Sequence, residues 1–164
     1  MKKLIIVRHA KSEWKAGVSD FDRPLNESGV RVAPKMGQAL IDLGVEPDYV
    51  VCSPSKRTNQ TAILLLNGIY DLKTINYQEV IYDASFFELL QLINNDIPDN
   101  VNTLLIVGHN PGVSELIEYL SSANIGGMPT CSCVCITAGI DSWQLASKDV
   151  FLLDWNIYPK MFSY

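Results

Sequence analysis

The sequence predicts an α/β fold: a single-domain, three-layer α/β/α sandwich built on a mainly parallel sheet. Three observations carry that expectation. Short apolar runs of strand length alternate with longer amphipathic stretches of helical period. The 164 residues suit one domain, with 48% apolar and 19% charged residues. No repeat, low-complexity segment or linker interrupts the alternation, so residues 1–164 read as one unit.

Lys3–Val7 is the first strand, followed by a polar loop, Lys11–Pro24. A helix starts at about Asn26, a good N-cap, and runs to about Leu43, with Gly44 as the stop. Val30, Ala33, Met36, Gly37, Leu40 and Ile41 keep helical spacing on one face. Pro34 either kinks this helix or marks a late start. Tyr49–Cys52 is the second strand. Ser53-Pro54 then offers an N-cap with Pro at the first helical position, and the helix runs to Asn67-Gly68. A third strand is expected near Ile75–Val80 and a helix over Phe86–Asn94. Thr103–Val107 is a fully apolar strand, and Pro111–Leu120 a helix after it. The tail, Thr130–Thr137, Ser142–Leu145 and Val150–Asp154, reads as short strands. This βαβαβαβα order implies helices on both faces of the sheet.

Composition excludes several classes. With 13 Lys and Arg against 18 Asp and Glu, the net charge is −5, which argues against nucleic acid as a partner. No run reaches the roughly 18 apolar residues of a membrane span. The apolar start, Leu4–Val7, is too short for a secretion signal and is followed at once by Arg8-His9, so a cytoplasmic location is expected. Cys131, Cys133 and Cys135 alternate on a predicted strand and share one face. They lack zinc-ligand spacing. With Cys52, they read as buried, reduced thiols.

The chain has two histidines, His9 and His109, and each directly follows the carboxyl end of a predicted strand. Open α/β sheets bind ligands at that edge, so the fold can deliver both imidazoles to one place. Arg57 falls early in the helix after the second strand, where the helix dipole gives no reason for a cation. Beside free helix N–H groups it can clamp an anion, and Arg8 can supply a second clamp. Two guanidiniums and two imidazoles around one point favour a dianionic phosphoryl group.

The blocks that carry these residues resemble a known family. Val7-Arg8-His9-Ala10-Lys11-Ser12 resembles the Arg-His-Gly/Ala signature of the histidine phosphatase superfamily, the phosphoglycerate-mutase-like proteins. Ser53-Pro54-Ser55-Lys56-Arg57-Thr58-Asn59-Gln60-Thr61-Ala62 is similar to its second block, and Val107-Gly108-His109-Asn110-Pro111-Gly112 to its third. Asp22-Arg23-Pro24-Leu25-Asn26-Glu27-Ser28-Gly29 resembles the helix-opening block of the small SixA-type phosphohistidine phosphatases. The resemblance implies a phosphatase in which His9 is the nucleophile, forming a phosphohistidine intermediate. Arg8, Arg57 and His109 are then catalytic and bind the phosphoryl oxygens of the substrate. Arginines supply the positive charge, so no metal or cofactor is expected.

Two departures from the larger relatives bear on the substrate. Only 52 positions separate Arg57 from His109 (109 − 57), leaving no room for a large cap insertion. A general acid is not evident. Glu79, Asp83 and Glu88 lie in the right region, and Asp83, after Ile81-Tyr82, is preferred. An alkoxide leaving group needs an acid more than a phosphoramidate nitrogen does. Both departures favour phosphohistidine on a phosphorylated protein as substrate and inorganic phosphate as product. The alternatives are a small-molecule phosphomonoesterase or mutase of the same fold, or a non-catalytic phosphate-binding module. Trp14, Phe21 and the Lys11–Pro24 loop are candidates to wall the pocket, and Lys11 and Ser12 to touch phosphate. Oligomeric state is left open.

Overall fold

A computed structural model describes residues 1–162. Its elements are β1 (Lys2–Arg8), α1 (Glu27–Asp42), β2 (Tyr49–Cys52), α2 (Lys56–Leu66), β3 (Asn76–Tyr77), α3 (Phe86–Asp96), β4 (Thr103–Gly108), α4 (Gly112–Ser121), β5 (Cys133–Ala138) and β6 (Leu152–Ile157). Among the described residues these strands form one sheet, in the order β3-β2-β4-β1-β5-β6. The first four neighbours are parallel, and β5 and β6 are antiparallel additions. The expected α/β sandwich with a mainly parallel sheet is what the chain forms.

The central strands are apolar on both sides because both sides are covered. Leu4, Ile6, Leu104 and Ile106 point to one face and pack with Leu89 and Ile93 of α3 and Leu116, Ile117 and Leu120 of α4. Ile5, Val7, Leu105 and Val107 point to the other and meet Ala33, Met36 and Leu40 of α1 and Ala62, Leu65 and Leu66 of α2. Crossover handedness sorts the helices. The chain moves outward from β1 to β2 to β3 through α1 and α2, then returns to β4 through α3, so α3 covers the opposite face. The helices leaving β1 and β4 thus diverge to opposite faces. A crevice opens between the carboxyl ends of these two neighbours, the switch point of such sheets.

Several elements differ from expectation. Pro34 lies inside α1, which begins at Glu27 with the Asn26 side chain accepting from Gly29 N at 2.8 Å. The buried stripe of α1 is Gly29, Ala33, Met36, Gly37, Ala39 and Leu40, whereas Val30 and Ile41 are each 46% exposed. Both lie on the same edge of the apolar arc, just past Gly37. The second helix starts at Lys56 with Ser55 as N-cap. Pro54 disfavours helical geometry at Ser53, whose N–H instead donates to Val107 O at 3.1 Å, extending the sheet pairing. The third strand shrinks to Asn76–Tyr77, because the chain turns into a 3-10 helix at Glu79–Ile81 that buries Ile81. Ser142–Leu145 is no strand. Ser142 Oγ accepts from Gln144 N, closing a 3-10 turn that sends Trp143 into the core, its Nε1 donating to Val101 O at 2.8 Å. Of the expected tail strands, the last lies two to three residues later, at Leu152–Ile157.

Cys52, Cys131, Cys133 and Cys135 are buried free thiols in the core against α1 and α2. Burial pushes Cys131 and Cys135 up to about 12. Among the described residues no helix is long and apolar enough to cross a membrane. Between Arg57 and His109 the chain holds the rest of α2, the short β3, 3-10 turns, α3 and β4, with no cap insertion among them.

Candidate active site

β1 and β4 pair in parallel register with Arg8 opposite Gly108. The residues that follow, His9 and His109, therefore leave adjacent strands at the same level. His9 N donates to Gly108 O at 3.2 Å, and the two ring centroids are 5.5 Å apart, tilted by 57°. The His9 and His109 side chains lie in the crevice and are only 8% and 6% exposed.

Each ring has a tautomer fixed by its surroundings. His9 Nδ1 lies 2.7 Å from Ala10 O. A carbonyl only accepts, so Nδ1 carries the hydrogen and Nε2 keeps a free lone pair. His109 Nδ1 faces Arg57 Nη2 at 3.4 Å, and Nε2 lies 2.8 Å from Ser53 Oγ. A guanidinium only donates, so Nδ1 is the acceptor and Nε2–H is given to Ser53. Both rings are held neutral. Burial is the first cause for each, lowering His9 to about 4 and His109 to about 3. Arg57 and Arg8 push both rings in the same direction, and His9 adds to the shift of His109.

The two arginines join from different elements. Arg57, in the first turn of α2 and 7% exposed, lies under His109. Its Nη1 donates to Asp20 O at 2.7 Å and its Nη2 to Asp20 Oδ2 at 3.1 Å. Arg8 Nη1 donates to Met128 O at 2.7 Å, while its Nε is buried without a protein partner among the described residues. Asn110 Nδ2 donates to the same Met128 carbonyl at 3.1 Å. Cys131 N donates to the carbonyls of both Arg8 and His9, at 3.1 and 3.0 Å, tying the segment before β5 to the end of β1. Thus the structure brings Arg8, His9, Arg57 and His109 together.

The other candidates separate. Arg23 spends its donors on Glu13 O, Asp20 Oδ1 and Ser12 Oγ, so Ser12 is engaged within its own loop. The Arg23 guanidinium also stacks 3.5 Å over the ring of Trp14, which is otherwise exposed. The Asp22-Arg23-Pro24-Leu25 block thus staples the Lys11–Pro24 loop shut. Phe21 meets Tyr82 edge-on at 5.1 Å, and Tyr82 meets His109 edge-on at 5.5 Å, so Phe21 does wall one side. Lys11 and Glu79 are exposed. Glu88 is occupied by a capping box with Ser85. Asp83 is exposed, in left-handed backbone with φ 54°.

Sequence reasoning missed Asp20, Ser53 and Tyr82 as parts of this site. Asp20 lies in a 3-10 turn (Asp20–Asp22), and its Oδ2 accepts from Tyr82 Oη at 2.5 Å as well as from Arg57. These bonds hold its carboxyl down at about 2. No helix or strand periodicity marks such a loop residue. Ser53 carried a visible signal, a hydroxyl at a strand's carboxyl end, but helix capping offered a simpler explanation for it.

Two neutral imidazoles, the buried Arg57 guanidinium and the half-buried Arg8 guanidinium at a sheet switch point define a site for phosphoryl chemistry. Comparison with known proteins identifies the class. Residues 4–89 match the family model of the histidine phosphatase superfamily (branch 1), and the chain belongs to that family. An uncharacterised protein of Mycobacterium tuberculosis is 40% identical over 116 residues, which are 71% of this chain and 70% of the relative. Among solved structures, a proposed phosphohistidine phosphatase SixA from Agrobacterium tumefaciens superposes with a TM-score of 0.80 at 27% identity, covering 96% of this chain and 98% of that one. The protein histidine phosphatase SixA in complex with tungstate gives 0.82 at 20% identity, over 97% and 98% of the two chains, and so shares the fold. The chain is a phosphatase of the SixA-type branch.

Proposed function

We propose that this protein hydrolyses phosphohistidine on a protein substrate through a covalent phosphoryl group on His9, and that residues 1–164 do so as one cytoplasmic domain. One observation supports this above the others: the Nδ1–H of His9 is fixed on Ala10 O at 2.7 Å, which leaves Nε2 as a neutral nucleophile inside a cationic pocket.

In the first step Nε2 attacks phosphorus, and the bond from phosphorus to the leaving atom breaks. Arg8 and Arg57 hold the equatorial oxygens, where charge is spread in the transition state, and the neutral His109, with no N–H to spare for them, orients the Arg57 guanidinium instead. The unpartnered Arg8 Nε is one donor for these oxygens. His109 is fixed from both sides, giving Nε2–H to Ser53 Oγ and accepting from Arg57 Nη2 at Nδ1. Water then attacks phosphorus, the bond to Nε2 breaks, and phosphate leaves with the water's hydrogens. The Ala10 bond holds the ring's orientation throughout. The guanidiniums supply the positive charge, so the reaction is proposed to need no metal.

The test is a panel of phosphohistidine, phosphoserine and sugar phosphate substrates without added metal, repeated with EDTA. Phosphohistidine is expected to turn over fastest, EDTA to leave the rate unchanged, and His9→Ala to abolish it. Turnover retained in His9→Ala removes the covalent mechanism. A preference for sugar phosphate removes the substrate assignment in favour of a small-molecule phosphomonoesterase.

A further inference from the structure

We propose that Asp20 is a specificity-determining residue whose carboxylate accepts the ring N–H of a protonated phosphohistidine. The site then selects a phosphorylated imidazole over a phosphate ester. This rests on the phosphohistidine reading above.

The placement comes first. Asp20 sits on the side of Arg57 away from the core: its side chain is 45% exposed, whereas that of Arg57 is 8% exposed. It touches Arg57, and through Arg57 and Tyr82 it borders His109. Its acceptors are not exhausted. A carboxylate offers about four lone-pair positions. Oδ2 takes Tyr82 Oη and Arg57 Nη2, and Oδ1 takes only Arg23 Nη1. One position on Oδ1 remains on an exposed group.

The charge pattern fits one leaving group. Phosphohistidine protonated on its far ring nitrogen is a dipolar substrate, anionic at phosphorus and cationic at the ring. The pocket matches it, with Arg8 and Arg57 at the phosphoryl end and Asp20 at the rim. A phosphate ester has no cationic end to use Asp20. As His9 Nε2 bonds to phosphorus, the pair in the old phosphorus–nitrogen bond returns to the substrate ring. A ring already protonated on its far nitrogen then leaves as neutral imidazole, so no other proton has to arrive. A carboxylate that stays ionised cannot act as a general acid, but it can keep that ring protonated.

The groups facing Asp20 are Arg57, Arg23, Tyr82 and His109, with Asp83 next to Tyr82. Asp20, held down at about 2, and His109, lowered to about 3, both keep one charge state near neutral pH.

The experiment compares wild type with Asp20→Asn on a phosphohistidine peptide and on p-nitrophenyl phosphate, with inorganic phosphate as competitive inhibitor and thermal melting as the fold control. The expected result is a loss of kcat/KM about tenfold larger on phosphohistidine than on the aryl ester. The alkaline limb of the phosphohistidine profile should also move to lower pH, while phosphate inhibition changes no more than aryl-ester turnover. Equal losses on both substrates overturn the proposal, for Asp20 then only positions Arg57. Wild type that fails to turn over phosphohistidine overturns the reading of the site and this proposal with it.

Discussion

Arg8 and Gly108 stand opposite each other on neighbouring parallel strands, and this pairing sets the spacing of the two imidazoles that follow. Adjacent strands lie about 4.8 Å apart, close to the 5.5 Å between the His9 and His109 ring centroids. The site's separation is therefore a property of the sheet, fixed by the packing of Leu4–Val7 and Leu104–Val107 rather than by loop conformation. Loops add the orientation. Ala10 O turns one ring and Ser53 Oγ the other.

That division gives a first prediction. Ser53→Ala removes the acceptor of the His109 Nε2–H at a fully buried position. The cost of a buried donor left unmatched is about 1–3 kcal/mol, and part of it falls on the orientation of His109. We expect kcat on an aryl phosphate to fall about tenfold or more, with KM changing less. Steady-state kinetics on a variant whose circular dichroism matches wild type checks this. An unchanged kcat means that Arg57 alone orients the ring.

The same burial makes stability depend on pH. Unfolded, each histidine titrates near 6.5; folded, His9 titrates at about 4 and His109 at about 3. In those windows the unfolded chain binds protons that the folded chain refuses. Stability is thus full above pH 6.5 and falls as pH drops, by about 1.4 kcal/mol per pH unit for each ring. Asp20 acts in the same direction lower down. Its ionised form stabilises the fold above its ordinary value of 3.8, and that contribution is lost towards about 2. Calorimetric Tm values should fall steadily from pH 7 to pH 5, with a shallower slope in His9→Asn. A flat Tm over that range would show that the rings are not held neutral.

The four converging residues and the layer order were legible in sequence because each rests on a strong local signal. Apolar runs with no polar alternation mark buried parallel strands, and chemistry placed directly after such a run lands at the sheet edge. What stayed hidden depends on contacts between distant segments. Ser53 is separated from His109 by 56 positions, and Tyr82 from Asp20 by 62. Val30 and Ile41 have the right period and still face solvent, because the buried arc of α1 ends at Gly37, a width that periodicity does not set. Ser142–Leu145 gave no contrast between strand and turn until Trp143 found its place in the core.

Asp83 illustrates the same limit. It follows a segment that looked like a strand end and was the preferred acid. Instead it follows the Glu79–Ile81 3-10 turn, exposed and in left-handed backbone. Asparagine tolerates that conformation at least as well as aspartate. Asp83→Asn should therefore change kcat by less than about twofold on both phosphohistidine and aryl phosphate. A loss of tenfold or more confined to the ester would restore Asp83 as its proton donor.

Two glycines separate the stability of the frame from the geometry of the site. At Gly37 an added Cβ would lie 2.4 Å from Leu65 O, where α1 crosses α2, and at Gly112 it would lie 2.1 Å from Ala84 O, three residues after His109. Both contacts are with backbone, which cannot swing aside, so each Gly→Ala change must push two segments apart, at about 1–3 kcal/mol or more. Their effects on catalysis should differ. Gly37 lies in the helical layer behind the sheet, and Gly37→Ala should lower Tm while leaving kcat within about twofold at temperatures well below Tm. Gly112 opens α4 directly after the His109 loop, and Val113 N donates to His109 O at 3.1 Å. Displacing this turn moves the His109 backbone, so Gly112→Ala should lower both Tm and kcat, the latter by about tenfold, since a misplacement near 1 Å in such a site costs that much or more. Melting curves and steady-state rates on the two variants separate the outcomes. Equal kcat in both would mean that the His109 loop is held from the strand side, through β4, and not by the helix it leads into.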